Sequence, residues 1–127
     1  MSEPSGVLGV GVDLCGIDRM RSQLEHETFL RRCFTEREIA YIRGRGAQAA
    51  DSLAGLWAAK EAVLKALGTG LTVPMTDIEI THTDLGQPVC VLRGEALRLS
   101  RGGTLRLSIT HEGDLAAAFC VWSVSAP

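Results

Sequence analysis

The chain has 127 residues, 46% of them hydrophobic and 5% aromatic, with a formal net charge of −2. That length suits one compact domain, residues 1–127, with a core of Leu, Val, Ile and Ala, and the composition argues against disorder. The near-neutral charge argues against a general nucleic-acid binder, and no apolar stretch is long enough to span a bilayer.

Val7 to Leu14 alternates, with Val10, Val12 and Leu14 on one face and Gly9, Gly11 and Asp13 on the other, which predicts a strand. The valine face is expected to pack; the other face is nearly bare and ends in a carboxylate. Glycine on a strand marks close approach of another backbone or a ligand. A short helix is expected around Phe29 to Cys33. Thr35-Glu36-Arg37-Glu38 is a capping box, so a helix should run to about Arg43 and end at Gly44 and Gly46. Asp51 or Ser52 is expected to cap the main helix, which runs to Leu67 and stops at Gly68-Thr69-Gly70.

Thr76 to Thr83 reads as a strand, Gly86-Gln87-Pro88 as a turn, and Val89 to Leu92 as a second strand. A helix from Glu95 to about Arg101 precedes Gly102-Gly103. Leu105, Leu107 and Ile109 then alternate, and Glu112-Gly113-Asp114 turns the chain into a last strand, Leu115 to Val124. Strands at the start, middle and end with helices between them predict an α+β fold, an antiparallel sheet packed against a long helix and shorter helices.

Cys15, Cys33, Cys90 and Cys120 form no C-x-x-C pair, and no His lies at a metal-ligand spacing from them. They read as buried free thiols of a reducing cytoplasm, not as a zinc site or a disulfide framework. Met1 to Gly6 carries no basic segment followed by an apolar run, so no signal peptide is expected. The basic clusters (Arg19 and Arg21; Arg31, Arg32 and Arg37; Arg43 and Arg45) all lie in the first third, and each reads by default as a solvated face.

On a helical wheel Leu53, Leu56, Trp57, Val63, Leu64 and Leu67 share one arc of the main helix. Glu61 and Lys65 lie beside that arc, one turn apart, in a strip shared with the small residues Ala54 and Ala58. Lys60 falls inside the apolar arc, so its ammonium must snorkel or meet an anion. Taken alone, Glu61 and Lys65 read as a surface ion pair contributing about 0.3 kcal/mol. Asp13 alone reads as a turn former, His111 as a polar residue at a strand end, and Gly68-Thr69-Gly70 as a helix stop. The residues by themselves stop at a small α+β domain with a candidate phosphate or metal site.

Several segments in order widen that reading: Gly9-Val10-Gly11-Val12-Asp13-Leu14, Phe34-Thr35-Glu36-Arg37-Glu38, the run LAGLWAAKEAVLKALGTG from Leu53 to Gly70, Asp77-Ile78-Glu79-Ile80, Gly86-Gln87-Pro88, and Ser108-Ile109-Thr110-His111-Glu112. In order and spacing the chain resembles the holo-acyl-carrier-protein synthases, short homotrimeric 4'-phosphopantetheinyl transferases. The resemblance implies that Asp13 and Glu61 hold a magnesium ion. It also implies that phosphopantetheine passes from coenzyme A to a serine of an acyl carrier protein, releasing adenosine 3',5'-bisphosphate. Lys65 would contact the phosphates, and Glu61 would accept the serine proton.

With less force the resemblance carries Gly68, Thr69, Gly70, Gly86, Pro88, Ser108, Thr110 and His111 to the coenzyme A cleft. Lys60 would meet a phosphate, and Arg19 and Arg21 would receive the acidic carrier protein. The cleft would lie at the boundary between protomers of a homotrimer. Two positions depart from the family pattern: Leu56 stands where many relatives have Arg, and Leu85 where a polar residue often precedes the turn glycine. Both bear on the nucleotide end of the cleft and leave the metal–phosphate core alone. Competing readings are a coenzyme A-binding relative that has lost turnover, a domain excised from a larger fatty-acid or polyketide synthase, and a structural domain with chance motif matches. Met1 and compact ends favour a free-standing protein.

Overall fold

The computed structural model describes residues 6–124. Strand β1 (Gly6–Gly16) leads into a short helix α1 (Ile17–Arg21), which the sequence reading did not anticipate. Helices α2 (Glu27–Cys33), α3 (Glu36–Arg43) and α4 (Ala49–Leu67) follow, then β2 (Ile78–His82), β3 (Pro88–Leu92), α5 (Gly94–Leu99), β4 (Thr104–Glu112) and β5 (Leu115–Val124). The strands form two antiparallel sheets instead of one: β1-β5-β4, and the hairpin β2-β3.

Local chemistry accounts for the element ends. Thr35 accepts from the Glu38 amide while the Glu38 carboxylate accepts from the Thr35 amide, so the expected capping box starts α3. Helix α4 begins at Ala49 behind a 3-10 turn, Gly46–Gln48, earlier than the Asp51 or Ser52 cap that was expected, and without a side-chain cap. It ends at Gly68 with φ of +74°, the left-handed geometry that glycine adopts without a side-chain penalty.

The packing of β1 inverts the expectation. Gly9 and Gly11 form the covered face, because α4 lies directly on it: a Cβ at Gly11 would collide with the carbonyl of Ala62, and one at Gly9 with that of Ala66. Backbone approaches backbone, which only glycine permits. Across the sheet the same face continues through Ala116, Ala118 and Cys120 of β5, all buried. Ala54, Ala58, Ala62 and Ala66 are the matching small residues of α4, all at 4% exposure or less. Small side chains on both surfaces therefore set a close helix–sheet spacing. Val10, Val12 and Leu14, expected inside, are 56–65% exposed on the opposite face beside Phe119.

All four cysteines are free, three of them buried. Burial pushes the Cys90 and Cys120 thiols up to about 12, so they remain protonated at neutral pH.

Candidate active site

Asp13 extends the glycine face of β1, and β1 is an edge strand, so its carboxylate emerges at the rim of the helix–sheet seam. Lys65 of α4 reaches across that rim. Its ammonium donates to the Val12 carbonyl at 3.0 Å and lies 3.2 Å from Asp13 Oδ1. Glu61, one turn earlier, turns to the same rim. Burial raises its carboxyl above the ordinary range and the Asp13 charge raises it further, while Lys65 and Arg19 pull it back. Asp13, Glu61 and Lys65 thus come together as the motifs implied. Lys65 bonds to β1, so the plain Glu61–Lys65 helix pair is replaced by a cross-element contact. The Gly68-Thr69-Gly70 loop leaves α4 at the same end, with the Gly68 amide bonded to Lys65 O at 3.1 Å.

Among the described residues no group of three or more His, Cys, Asp or Glu side chains forms a metal cluster. Two carboxylates still fit a hard divalent cation that draws its other ligands from water and substrate phosphates. The Asp13 charge acts on Glu61 across the rim, second to burial, and a divalent cation held between the two carboxylates would offset both effects.

A second group lies at the other edge of the sheet. The cleft there, of about 170 Å³, is lined by Arg45, His82, Gly86, Pro88 and His111 over a floor that includes Leu56. Gly55 allows it: a Cβ there would lie 3.1 Å from both His111 Nε2 and Ile109 Cγ2. The His111 ring is 3.0 Å from the Asp51 carbonyl. The Tyr41 ring stacks on His82 at 4.4 Å and 15°, and the Arg45 guanidinium sits 5.6 Å from the Tyr41 centroid. Burial, and secondarily the Arg45 charge, lowers the His82 pKa. Arg45, Tyr41 and His82 were missed by the sequence reading, in which Arg45 belonged to a solvated cluster. Gly86, Pro88 and His111 lie where the motifs implied a cleft. Leu85 is 97% exposed and Leu56 buried, so neither offers the cleft a polar contact.

One expectation is corrected, and two others are placed more closely. Lys60 cannot meet a phosphate, because its side chain is fully buried and its ammonium is 2.8 Å from the equally buried Glu38 carboxylate. Ser108 and Thr110 lie on the opposite face of β4 from His111. The two-residue period of β4 puts them on the exposed face beside Phe119 and Ala117. Arg21 is held by Asp18 of its own helix, whereas Arg19 is close enough to Glu61 for its charge to be felt there.

Comparison with known proteins agrees with this geometry. Residues 9–120 match the family model of the 4'-phosphopantetheinyl transferase superfamily. The chain is 46% identical over 121 residues to the holo-acyl-carrier-protein synthase of Desulforudis audaxviator, covering 91% of this chain and 92% of the relative. An ACPS–CoA complex from Chronobacterium ammoniagenes superposes with a TM-score of 0.78 at 31% identity, covering 92% of this chain and 97% of the other. The Helicobacter pylori holo-acyl-carrier-protein synthase in complex with coenzyme A gives a TM-score of 0.80 at 29% identity, covering 90% and 99%. The chain belongs to the 4'-phosphopantetheinyl transferase superfamily.

Proposed function

We propose that the protein is a holo-acyl-carrier-protein synthase that moves 4'-phosphopantetheine from coenzyme A to a serine of an apo acyl carrier protein. The observation that carries this reading is the meeting of Asp13, Glu61 and Lys65 at one rim, in a chain whose relatives bear that name. The serine oxygen forms a bond to the β-phosphorus. The bond from that phosphorus to the bridging oxygen breaks, and adenosine 3',5'-bisphosphate leaves. The serine proton goes to the Glu61 carboxylate, directly or through a bound water, as the general base at this rim. Asp13 and Glu61 would hold magnesium, which when bound supplies charge neutralisation at the diphosphate. Lys65, released from Asp13, offers its ammonium to the departing phosphate.

The two groups of residues lie at opposite edges of the three-stranded sheet, with α4 between them. A ligand that engages both is best served where two copies meet. The exposed apolar stripe of Val10, Val12, Leu14 and Phe119 suits such self-association, and a homotrimer is the form we assign. Ser108 and Thr110, on that outer face, would then join a neighbour's cleft. Arg45 takes the role at the 3'-phosphate that Leu56 cannot fill. Arg19 stands ready to steer an acidic carrier towards Glu61, with Arg21 on the same helix. No helix among the described residues is long and apolar enough to cross a membrane, and we place the enzyme in the cytoplasm as one domain.

Incubation with coenzyme A, magnesium and a panel of apo carriers tests the reading. One carrier should gain the mass of a single phosphopantetheine. No gain on any carrier, with coenzyme A bound, favours a relative that has lost turnover.

A further inference from the structure

Lys60 and Glu61 are consecutive in α4 and point about 100° apart. Glu61 faces the rim with Asp13, and Lys60 faces the interior. An ammonium has three donors, and all three of Lys60 are used: one on Glu38 Oε1 at 2.8 Å, one on the Met75 carbonyl at 2.9 Å, and one on the Ile78 carbonyl. The Phe34 ring lies 5.1 Å from the same nitrogen. Glu38 is as fully committed. Oε1 also accepts from the Thr35 amide, and Oε2 accepts from the Ile80 amide at 2.8 Å. One sealed ion pair therefore ties the start of α3, the middle of α4, the 3-10 turn at Met75 and strand β2 to one another.

Stability is a poor reason for this arrangement. Desolvating two charges costs as much as their attraction returns, and well-packed apolar residues often do as well or better. What apolar packing cannot supply is three directed bonds to acceptors on separate segments. Those bonds define the rotation of α4 about its axis. A turn of about 20° would carry a side chain some 6 Å from the axis through about 2 Å. A misplacement of about 1 Å is enough to cost roughly a hundredfold in rate.

We propose that the Lys60–Glu38 pair is a positioning device for Glu61, fixing the rotation of α4 so that Glu61 meets Asp13, and that Lys60 touches neither coenzyme A nor metal. The inference rests on reading Asp13 and Glu61 as the divalent-cation site. It divides the labour between the two lysines of the K-E-A-V-L-K run: Lys65 faces the ligand, and Lys60 holds the helix that presents it.

The test uses Glu38→Gln, Lys60→Met and the paired apolar variant Glu38→Leu/Lys60→Met, each measured for Mn²⁺ affinity, steady-state kinetics and thermal midpoint. Glu38→Gln and Lys60→Met should each lower kcat by about 10- to 100-fold and weaken Mn²⁺ binding, leaving KM for coenzyme A within about twofold. The paired variant should regain most of the thermal stability lost by Lys60→Met and should not regain kcat or Mn²⁺ affinity. That dissociation separates positioning from a purely structural role, in which kcat would return with the midpoint. If Lys60→Met fails to fold, Glu38→Gln and the paired variant decide. A tenfold rise in KM for coenzyme A confined to Lys60→Met overturns the inference, as does wild-type Mn²⁺ affinity in Glu38→Gln. Wild type that binds no Mn²⁺ overturns the cation-site reading and this inference with it. Wild-type binding alongside unchanged variants overturns this inference alone.

Discussion

Among the described residues helix α4 makes two lysine–carboxylate contacts with the rest of the molecule, and they differ chiefly in access to water. Lys60 and Glu38 are 2.8 Å apart with both side chains at 0% exposure. Lys65 and Asp13 are 3.2 Å apart with side chains 54% and 17% exposed. The first pair has every donor and acceptor committed to protein and cannot change partners. The second lies where a cation or phosphate can enter and take either member. Like chemistry thus yields a strut in one place and an exchangeable contact in the other, and burial makes the difference.

The sharpest way to break the comparison is to alter the open pair's neighbourhood. Glu61→Gln and Asp13→Asn should each lower transfer by about 10²- to 10⁴-fold in a single-turnover assay while the far-ultraviolet spectrum stays native. A loss of under tenfold in both would show that the rim is not the reacting centre.

Next in size is the α4–β1 seam, whose rim carries the open pair. Gly11→Ala forces a methyl against the Ala62 carbonyl and should cost about 3 kcal/mol in denaturant unfolding. The contrasting substitution Val12→Thr, on the exposed face, should cost well under 1 kcal/mol in a dilute protomer.

At the far cleft, Arg45→Ala should raise KM for coenzyme A by about 10- to 50-fold with kcat nearly unchanged, the loss of one charge-assisted contact. Turnover of 3'-dephospho-coenzyme A should hardly change, since that substrate lacks the group Arg45 would read.

The smallest effect concerns stability against pH. A carboxyl whose folded pKa lies above its unfolded value favours the fold below the ordinary glutamate range, and loses that contribution as pH rises through the folded value. Glu61 is such a group. The metal-free Glu61→Gln protein should therefore melt a few degrees above wild type at neutral pH, roughly 2–4 °C. The gap should close below about pH 4. Scanning calorimetry across that range checks both the sign and the window.

How far these features could be read in the sequence varies with how local their causes are. The Thr35 capping box, the Gly68 stop and the span of β5 depend on neighbours in the chain, and all were legible. Asp13, Glu61 and Lys65 stood out only through the family resemblance of their motifs; by themselves they read as a turn former and a surface ion pair. The covered side of β1 was not legible, since valine beside glycine looks like a core face until a helix backbone is known to occupy the glycine side. Lys60 needed Glu38, 22 positions earlier, to explain it, and no local pattern joins the two. Arg45 needed Tyr41, His82 and the β2-β3 turn around it before it stood apart from a solvated cluster. The separation of Ser108 and Thr110 from His111 was legible and overlooked: odd and even positions of one strand cannot share a face.

The central claim is that Asp13 and Glu61 grip one divalent ion that a diphosphate then completes. Titration of Mn²⁺ followed by electron paramagnetic resonance, with and without coenzyme A, tests it most directly. The account predicts one site per chain in wild type, tightened by coenzyme A and lost in Asp13→Asn. Equal Mn²⁺ binding by Asp13→Asn and wild type, unaffected by coenzyme A, would contradict it.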